Sequence, residues 1–172
     1  VVRAWDLAAT HGAGDYTAGV KMGVDAQGRL WILDVVLLQG SPDEVDDTIL
    51  STAQGDGRAV SIRLARDPGS AGVRDVASLV RKLRGYAVRP ETVSRDKALR
   101  ARPFASQVNV GNVQMVRCTR IVATGPFQKQ ATHEALLGMM RGFPMGTVKK
   151  DGVDAAADAF DELVDKPQGR YA

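Results

Sequence analysis

The first part of the chain carries a pattern of apolar segments and short polar turns that predicts three consecutive strands. The segments VVRAWDLAA, TAGVKMGVD and LWILDVVLL are rich in Val, Ile, Leu and aromatic residues, and the Gly-containing turns HGAGD and DAQG separate them. Such side chains favour strands, and short turns between them are typical of an antiparallel arrangement. We therefore expect a three-stranded β-meander.

Helices and strands alternate in the segment that follows. In SPDEVDDTILSTAQG, Ser41 is placed to cap a helix, Pro42 fits its first position and Glu44 completes a capping box. RAVSIRLA then predicts a strand, SAGVRDVASLVRKLRG a helix that ends near Gly85, and YAVRPETV a short strand. Strands joined through helices pair in parallel, so the prediction is an α/β fold with a mixed sheet and helices on its faces.

The remaining segments are less regular. RDKALRARPFASQVNVGN has helical composition, with a break or a helix start expected near Pro103 because proline lacks the N–H that a helix needs. VQMVRC predicts a strand, HEALLGMMRGF a helix and FPMGTV a loop, whereas residues 119–130 give no firm pattern. GVDAAADAFDELV predicts a helix with one apolar side.

Length, charge and cysteine content narrow the classes of protein. A chain of 172 residues fits one domain, residues 1–172, and we expect it to be a piece of a longer polypeptide because it starts with Val1. A formal charge of +3 and a pI near 9.2 permit a nucleic-acid partner without requiring one. The single Cys118 excludes an internal disulfide and favours oxygen-ligated metals. No apolar run reaches the roughly 20 residues that span a bilayer, so no membrane partner is expected.

Three aspartates stand where apolar segments begin or end: Asp6, Asp67 and Asp151. A carboxylate inside an apolar strand, such as Asp6, is costly to bury unless it is paired or binds a metal. Asp67 follows a strand and precedes the turn GSAG, and its simpler interpretation is a turn residue. Asp151 opens a helix, where it could equally interact with the helix dipole. If the fold gathers all three, they form a divalent-metal site.

Four stretches carry a resemblance to a known family: WDLAATHGAGDYTAGVKMGVDAQGRLWILDVV, DPGSAG, DKALRARPFASQVNVGNVQMV, and FPMG followed by KKDGVDAAADAFDEL. In these stretches the sequence resembles the C-terminal nuclease domain of the large terminase subunit of tailed bacteriophages, which has an RNase H-like fold. The resemblance implies an endonuclease that cuts concatemeric double-stranded viral DNA with two Mg²⁺ or Mn²⁺ ions. It implies that Asp6 bridges both ions, that Asp67 and Asp151 each bind mainly one, and that Asp154 is a supporting or substitute ligand.

The sequence departs from the family's pattern at two of these positions. The second acidic residue is more usually Glu, where this chain has the shorter Asp67. The last motif usually has two adjacent acids, where Lys150 precedes Asp151 here. Lys150 is therefore expected either to lower metal affinity or to contact phosphate.

The resemblance also implies partners. No G-x-x-x-x-G-K-[ST] loop occurs, so the ATPase motor domain of the parent protein is expected to be absent from these residues. The implied partners are double-stranded DNA, that ATPase domain, the portal and the small terminase subunit, in the cytoplasm of a host bacterium. Two groups of basic residues could contact DNA phosphates. The first, near Arg95, is Lys97, Arg100 and Arg102, and the second, near Gly85, is Arg81, Lys82 and Arg84. Lys150 is a further candidate contact.

Two alternatives remain open. The domain could be a catalytically silent module that grips DNA for the motor, which Lys150 favours. It could also be another RNase H-like nuclease, such as a Holliday-junction resolvase. Among the other polar residues, Asp34 is a reserve ligand, and His11 and His133 are expected at the surface.

Overall fold

The computed structural model describes residues 1–8, 14–66, 76–92, 97–143 and 149–165. These residues form six strands and five helices. In chain order they are β1 (Val2–Asp6), β2 (Thr17–Val24), β3 (Leu30–Leu38), α1 (Pro42–Asp56), β4 (Ser61–Arg66), α2 (Val76–Lys82), β5 (Val88–Thr92), α3 (Lys97–Asn109), β6 (Val113–Met115), α4 (Thr132–Gly142) and α5 (Asp151–Asp165).

The strands form one mixed sheet in the order β5-β4-β1-β2-β3-β6. β1, β2 and β3 pair antiparallel, as the predicted meander requires. β4 pairs parallel to β1, β5 parallel to β4 and β6 parallel to β3. The predicted α/β fold with a mixed sheet is confirmed.

Helices cover both faces of the sheet. One face packs against α3, α4 and α5 through a large apolar core that includes Ala4, Val20 and Phe104. The other face packs against α1 and α2 through a smaller core around Trp5 and Ile49. Side chains on a strand alternate between faces, so the parity of a residue in β1 decides which helices it meets.

A β-bulge in β3 changes this alternation. Lys21 of β2 is opposite Asp34, and the next residue, Met22, is opposite Ile32, so Leu33 is the extra residue. Because of the bulge, Ile32 before it and Val35 after it both contribute to the α5 side of the core.

Local sequence signals define α1 well. The Ser41 side chain accepts a hydrogen bond from the Glu44 main-chain N–H, and the Glu44 carboxylate accepts one from the Ser41 N–H at 2.7 Å. Pro42 stands at the start of the helix, as predicted. Gly85, the predicted stop of the next helix, has a φ of +96° just after α2, a conformation that favours glycine.

The expected break at Pro103 is wrong, because α3 runs through this residue from Lys97 to Asn109. Proline removes the hydrogen bond to the carbonyl four residues earlier, which belongs to Leu99. Leu99 is 53% exposed and Pro103 is exposed as well, so water can hydrogen-bond to that carbonyl and the helix continues.

α5 is the central helix, and the prediction of a single apolar side is incomplete. All residues from 151 to 160 are buried, and they include the acids Asp154 and Asp158. The helix therefore packs on all sides over most of its length. None of the helices in the described ranges is long and apolar enough to cross a membrane.

Candidate metal centre

Asp6 is the last residue of β1, and its side chain faces α5. Val2 and Ala4 lie in the core on the α5 side, and Asp6 has the same parity along the strand. Its residue is only 8% exposed. The structure therefore places a nearly buried carboxyl group at the end of the sheet where β1 finishes, which we call the carboxylate edge. The cost of burying its charge there calls for compensation.

Asp151 begins α5 at the same edge. Its Oδ2 atom accepts a hydrogen bond from the main-chain N–H of Tyr16 at 2.8 Å. Tyr16 lies two residues before Ala18, which is the partner of Asp6 in the β1–β2 ladder. Two extended residues span only about 7 Å, so Asp6 and Asp151 lie on the same face and at the same edge. The helix N-terminus adds a favourable environment for the Asp151 carboxylate.

β4 pairs parallel with β1, on the side of β1 away from β2, and also finishes at the carboxylate edge. Ala65 pairs with Asp6, and β4 ends at the next residue, Arg66. Asp67 lies outside the described residues. Within the part of the chain that the structure describes, no group of three or more His, Cys, Asp or Glu side chains could hold a metal ion. The role of the three aspartates as ligands therefore stays a prediction.

The donors at the edge fit a hard cation. Asp6 and Asp151 offer carboxylate oxygens, and Mg²⁺ and Mn²⁺ bind such oxygens in preference to softer donors. Asp154 lies one helical turn after Asp151 and is 2% exposed; its role as a supporting or substitute ligand stays a prediction. The described residues thus supply part of a set that suits Mg²⁺ or Mn²⁺.

Positive charges stand beside the carboxylates. Lys149 donates a hydrogen bond to Asp15 at 2.7 Å; this bond is the main cause that raises the pKa of Lys149, and Asp151 adds to the rise. The Lys150 ammonium lies 5.9 Å from the ring centroid of Phe143. This lysine directly precedes Asp151, so a cation held over an aromatic ring stands beside the candidate carboxylates.

Tyr16 is a site residue that sequence reasoning missed. It is fully buried, its N–H binds Asp151, and its hydroxyl donates to the Thr124 carbonyl at 2.7 Å. Burial is the largest cause that raises the pKa of the Tyr16 phenol, and the charge of Asp151 adds to it. The only sequence signal was an aromatic residue directly before a strand.

The basic residues predicted to contact DNA lie in different places. Arg102 is exposed and lines a cavity of about 320 Å³ with Phe143 and Val153, near the start of α5. Arg100 instead points inward: its side chain is 10% exposed and binds Asp158 at 2.9 Å. Arg100 is therefore turned away from any DNA that would lie on the surface. The side chain of Lys97 lies outside the described part of the structure.

The second basic group lies away from Asp6 and Asp151, on the α1 and α2 side. Lys82 pairs with Asp46 of α1 at 3.1 Å, and all three basic residues of the group are exposed. The chain passes from α2 to β5 at Gly85, beside the Arg58 guanidinium. β5 runs parallel to β4 and begins at the end of the sheet opposite to Asp6, so Arg84 is remote from the carboxylates.

Contacts show the surroundings of Asp34, which was expected as a reserve ligand, and of His133, which was expected at the surface. Asp34, the reserve ligand, faces α1 and pairs with Arg3 at 2.8 Å and with Arg120 at 3.4 Å, so it lies on the wrong face of the sheet to join Asp6. His133 is only partly buried, and its Nδ1 atom accepts the N–H of Cys118 at 3.2 Å.

A mixed sheet with buried carboxylates at the end of its central strand and at the start of the helix packed on that strand is the arrangement of the RNase H-like nucleases. Within this class, the chain belongs to the terminase RNaseH-like domain family, whose model matches residues 3–165. The prediction of a terminase nuclease domain is confirmed, and the homologues of this domain are metal-dependent nucleases. No curated protein sequence matches the chain significantly.

Solved structures of a viral terminase nuclease domain share the fold at low sequence identity. The human cytomegalovirus terminase nuclease domain, soaked with manganese, aligns with a TM-score of 0.62 at 17% identity, over 92% of this chain and 80% of that chain. The same domain with an inhibitor bound gives a TM-score of 0.62 at 16% identity. The yeast mitochondrial Holliday junction resolvase Ydc2 aligns with a TM-score of 0.49 at 12% identity, over 92% of this chain and 75% of that chain.

Proposed function

We propose that this domain cuts concatemeric double-stranded DNA during viral genome packaging, as a divalent-metal-dependent endonuclease. The observation that carries the proposal is the placement of Asp6 and Asp151 on one face and at one edge of the sheet, in a chain that belongs to the terminase family. The shared fold of a terminase nuclease domain that was soaked with manganese supports Mg²⁺ or Mn²⁺ as the cation.

The proposed ligands come from three elements. Asp6 would bridge two ions, Asp67 and Asp151 would each bind mainly one, and Asp154 would support them or substitute. β4 supports Asp67 as the third ligand, because Ala65 pairs with Asp6 and the strand ends at Arg66, the residue before Asp67. Two divalent ions in such a site activate water and stabilise the leaving oxygen of a phosphodiester.

The residues around the ligands would hold the DNA. Lys150 and Arg102 lie near the start of α5 and would contact backbone phosphates close to the scissile bond. Lys97 would be a further phosphate contact. Arg81, Lys82 and Arg84 would meet DNA only if it passes around the α2 side of the domain. Such phosphate contacts position the duplex without reading its sequence.

The proposal extends to the parent protein. We propose residues 1–172 as the single nuclease domain of a large terminase subunit whose ATPase motor lies elsewhere in the polypeptide. The motor domain, the portal and the small terminase subunit would be its partners, in the cytoplasm of a host bacterium.

Replacing Asp6 by Asn tests the function. We expect wild-type protein to nick supercoiled plasmid in Mn²⁺, and Asp6→Asn to lower the rate by at least about a hundredfold with an unchanged circular dichroism spectrum. Asp47→Asn, the same chemical change at an exposed position of α1, is the matched control and should cut normally. Full activity of Asp6→Asn would refute the assignment.

A catalytically silent DNA-binding module is the second candidate, favoured by Lys150 directly before Asp151. It predicts that wild-type protein binds DNA equally well with Mn²⁺ or EDTA and does not cut it. Faster cutting of four-way junctions than of linear duplex would instead indicate a junction resolvase.

A further inference from the structure

Short side chains form much of the buried surface of α5. Four of them are alanines, all at most 1% exposed: Ala155, Ala156, Ala157 and Ala159. Helices take their position on neighbouring elements largely by fitting ridges of side chains into grooves. Alanines allow α5 to approach closely but provide only low ridges. The position of α5 along its own axis therefore needs additional contacts to define it.

Such contacts are made by a buried charge cluster in the middle of the helix, which we call the Asp158 clamp: Arg63, Arg100 and Asp158. Asp158 is fully buried. Arg63 of β4 donates to the Asp158 main-chain carbonyl at 3.0 Å and lies 3.6 Å from its carboxylate. Arg100 of α3 donates to the same carboxylate at 2.9 Å. The clamp thus joins α5 to the sheet on one side and to α3 on the other.

The clamp is poorly suited to stabilising the fold. Among the described residues, Asp158 Oδ2 and the Nε atoms of Arg63 and Arg100 are buried and make no hydrogen bond. Buried ion pairs with such gaps often stabilise a protein less than apolar residues of similar volume would. Stability alone therefore does not account for three charged side chains at this place.

The position of the clamp between β4 and α5 explains these charged residues better. Arg63 lies two residues before Ala65, the partner of Asp6, so it belongs to the strand that reaches the carboxylate edge. Asp158 lies about two helical turns, or about 10 Å, after Asp151 on the same helix. A shift or rotation of α5 would move Asp151 and Asp154 relative to Asp6. Mg²⁺ accepts only small departures from octahedral geometry at about 2.0 to 2.1 Å, so such a shift would weaken metal binding.

We propose that the Asp158 clamp sets the position of α5 against the sheet, so that Arg63, Arg100 and Asp158 are positioning residues for the metal centre. The inference rests on the proposed function, since it concerns the same site. In this proposal the three residues act through the placement of Asp151 and Asp154 and are not themselves ligands.

Titration calorimetry with Mn²⁺ tests the clamp directly. We expect Arg63→Met and Asp158→Asn each to weaken Mn²⁺ binding about tenfold, the lower end of the range found when groups that orient metal ligands are removed. The Mn²⁺ concentration for half-maximal plasmid nicking should rise by the same factor, whereas the rate at saturating Mn²⁺ should stay within about twofold of wild type.

The triple variant Arg63→Met, Arg100→Met and Asp158→Leu replaces the whole charge cluster by apolar side chains and separates position from stability. Apolar replacement of a buried ion pair often restores or increases stability, so this protein should melt near or above wild type. The clamp requires its Mn²⁺ binding to stay weak. Recovery of wild-type Mn²⁺ affinity in this variant would overturn the proposal.

Two controls match the perturbations. Arg89→Met removes another arginine paired to an α5 acid, Glu162 at 3.1 Å, but this arginine is 59% exposed and lies on the edge strand β5. Ile49→Ala lowers stability through the core on the other face. Both should bind Mn²⁺ as wild type does.

Each outcome decides between the hypotheses. Normal Mn²⁺ affinity in folded Arg63→Met and Asp158→Asn would overturn the clamp while leaving the nuclease proposal intact. Wild-type protein that binds no Mn²⁺ and cuts no DNA would refute both. If Arg63→Met fails to fold, Asp158→Asn decides, because its side chain keeps the shape of aspartate and can still accept a hydrogen bond from Arg100.

Discussion

The titration of Asp158 should leave a measurable signature in the pH dependence of stability. Burial, the largest cause, raises the pKa of Asp158 from 3.8 to about 6. The Arg100 and Arg63 guanidinium groups oppose this rise, and the carboxylates of Asp161 and Asp154 add to it. In the unfolded chain the same carboxyl group should titrate near its ordinary value.

The sign of the effect follows from the proton count. Below the unfolded pKa, both states keep the proton and Asp158 contributes no pH dependence. As the pH rises towards the folded pKa, the unfolded chain loses its proton first, so the free energy of unfolding falls. A difference of about 2 pKa units corresponds to about 3 kcal/mol in total, of which roughly 2 kcal/mol is lost between about pH 4 and about pH 7.

Urea unfolding of wild type and Asp158→Asn across this range, in EDTA, measures the effect. Asparagine keeps the shape of the side chain but does not titrate, so the difference between the two pH profiles reports the titration of Asp158 together with its coupling to Asp154 and Asp161. Wild type should lose roughly 2 kcal/mol more than the variant as pH rises from about 4 to about 7. Parallel pH profiles for the two proteins would show that burial does not raise this pKa.

Two further predictions concern packing and DNA. A Cβ at Gly19 would lie 2.6 Å from the buried Trp5 ring, so Gly19→Ala should lower the free energy of unfolding by about 1 to 3 kcal/mol. Combining it with Trp5→Leu should cost less than the sum of the two single changes in a urea double-mutant cycle; strict additivity would contradict the clash. Arg102→Ala should weaken DNA binding in EDTA and reduce the slope of log affinity against log salt by about one, whereas an unchanged slope in fluorescence anisotropy would exclude a phosphate contact.

Local signals in the sequence predicted local structure well. Ser41, Pro42 and Glu44 lie within four residues of one another and define the start of α1 without help from the rest of the chain. The three apolar segments of the meander were likewise sufficient for the antiparallel half of the sheet. Pro103 was misjudged because exposure of the helix at that point, which decides whether proline is tolerated, depends on tertiary packing.

The candidate site was predicted from acids in unusual local contexts, and its supporting residues were not. Asp6 stood out as a charge inside an apolar strand, but Arg63 and Arg100 look like ordinary surface cations in sequence. Their shared partner Asp158 lies 95 and 58 residues away along the chain. Periodicity within one element does not predict such pairings, although an acid inside the alanine run AAADAF was a sign that α5 is not a simple amphipathic helix.

The central place of α5 has a consequence for synthesis on the ribosome. The contact between Tyr16 and Asp151 spans 135 residues, and the apolar core on that side of the sheet lacks its middle until residues 151–160 arrive. Contacts so distant in sequence form late, because a long loop must close before they contribute. A nascent chain that has completed the meander would still lack the proposed metal centre, so the proposed hydrolysis of DNA would begin only once this helix has emerged and docked.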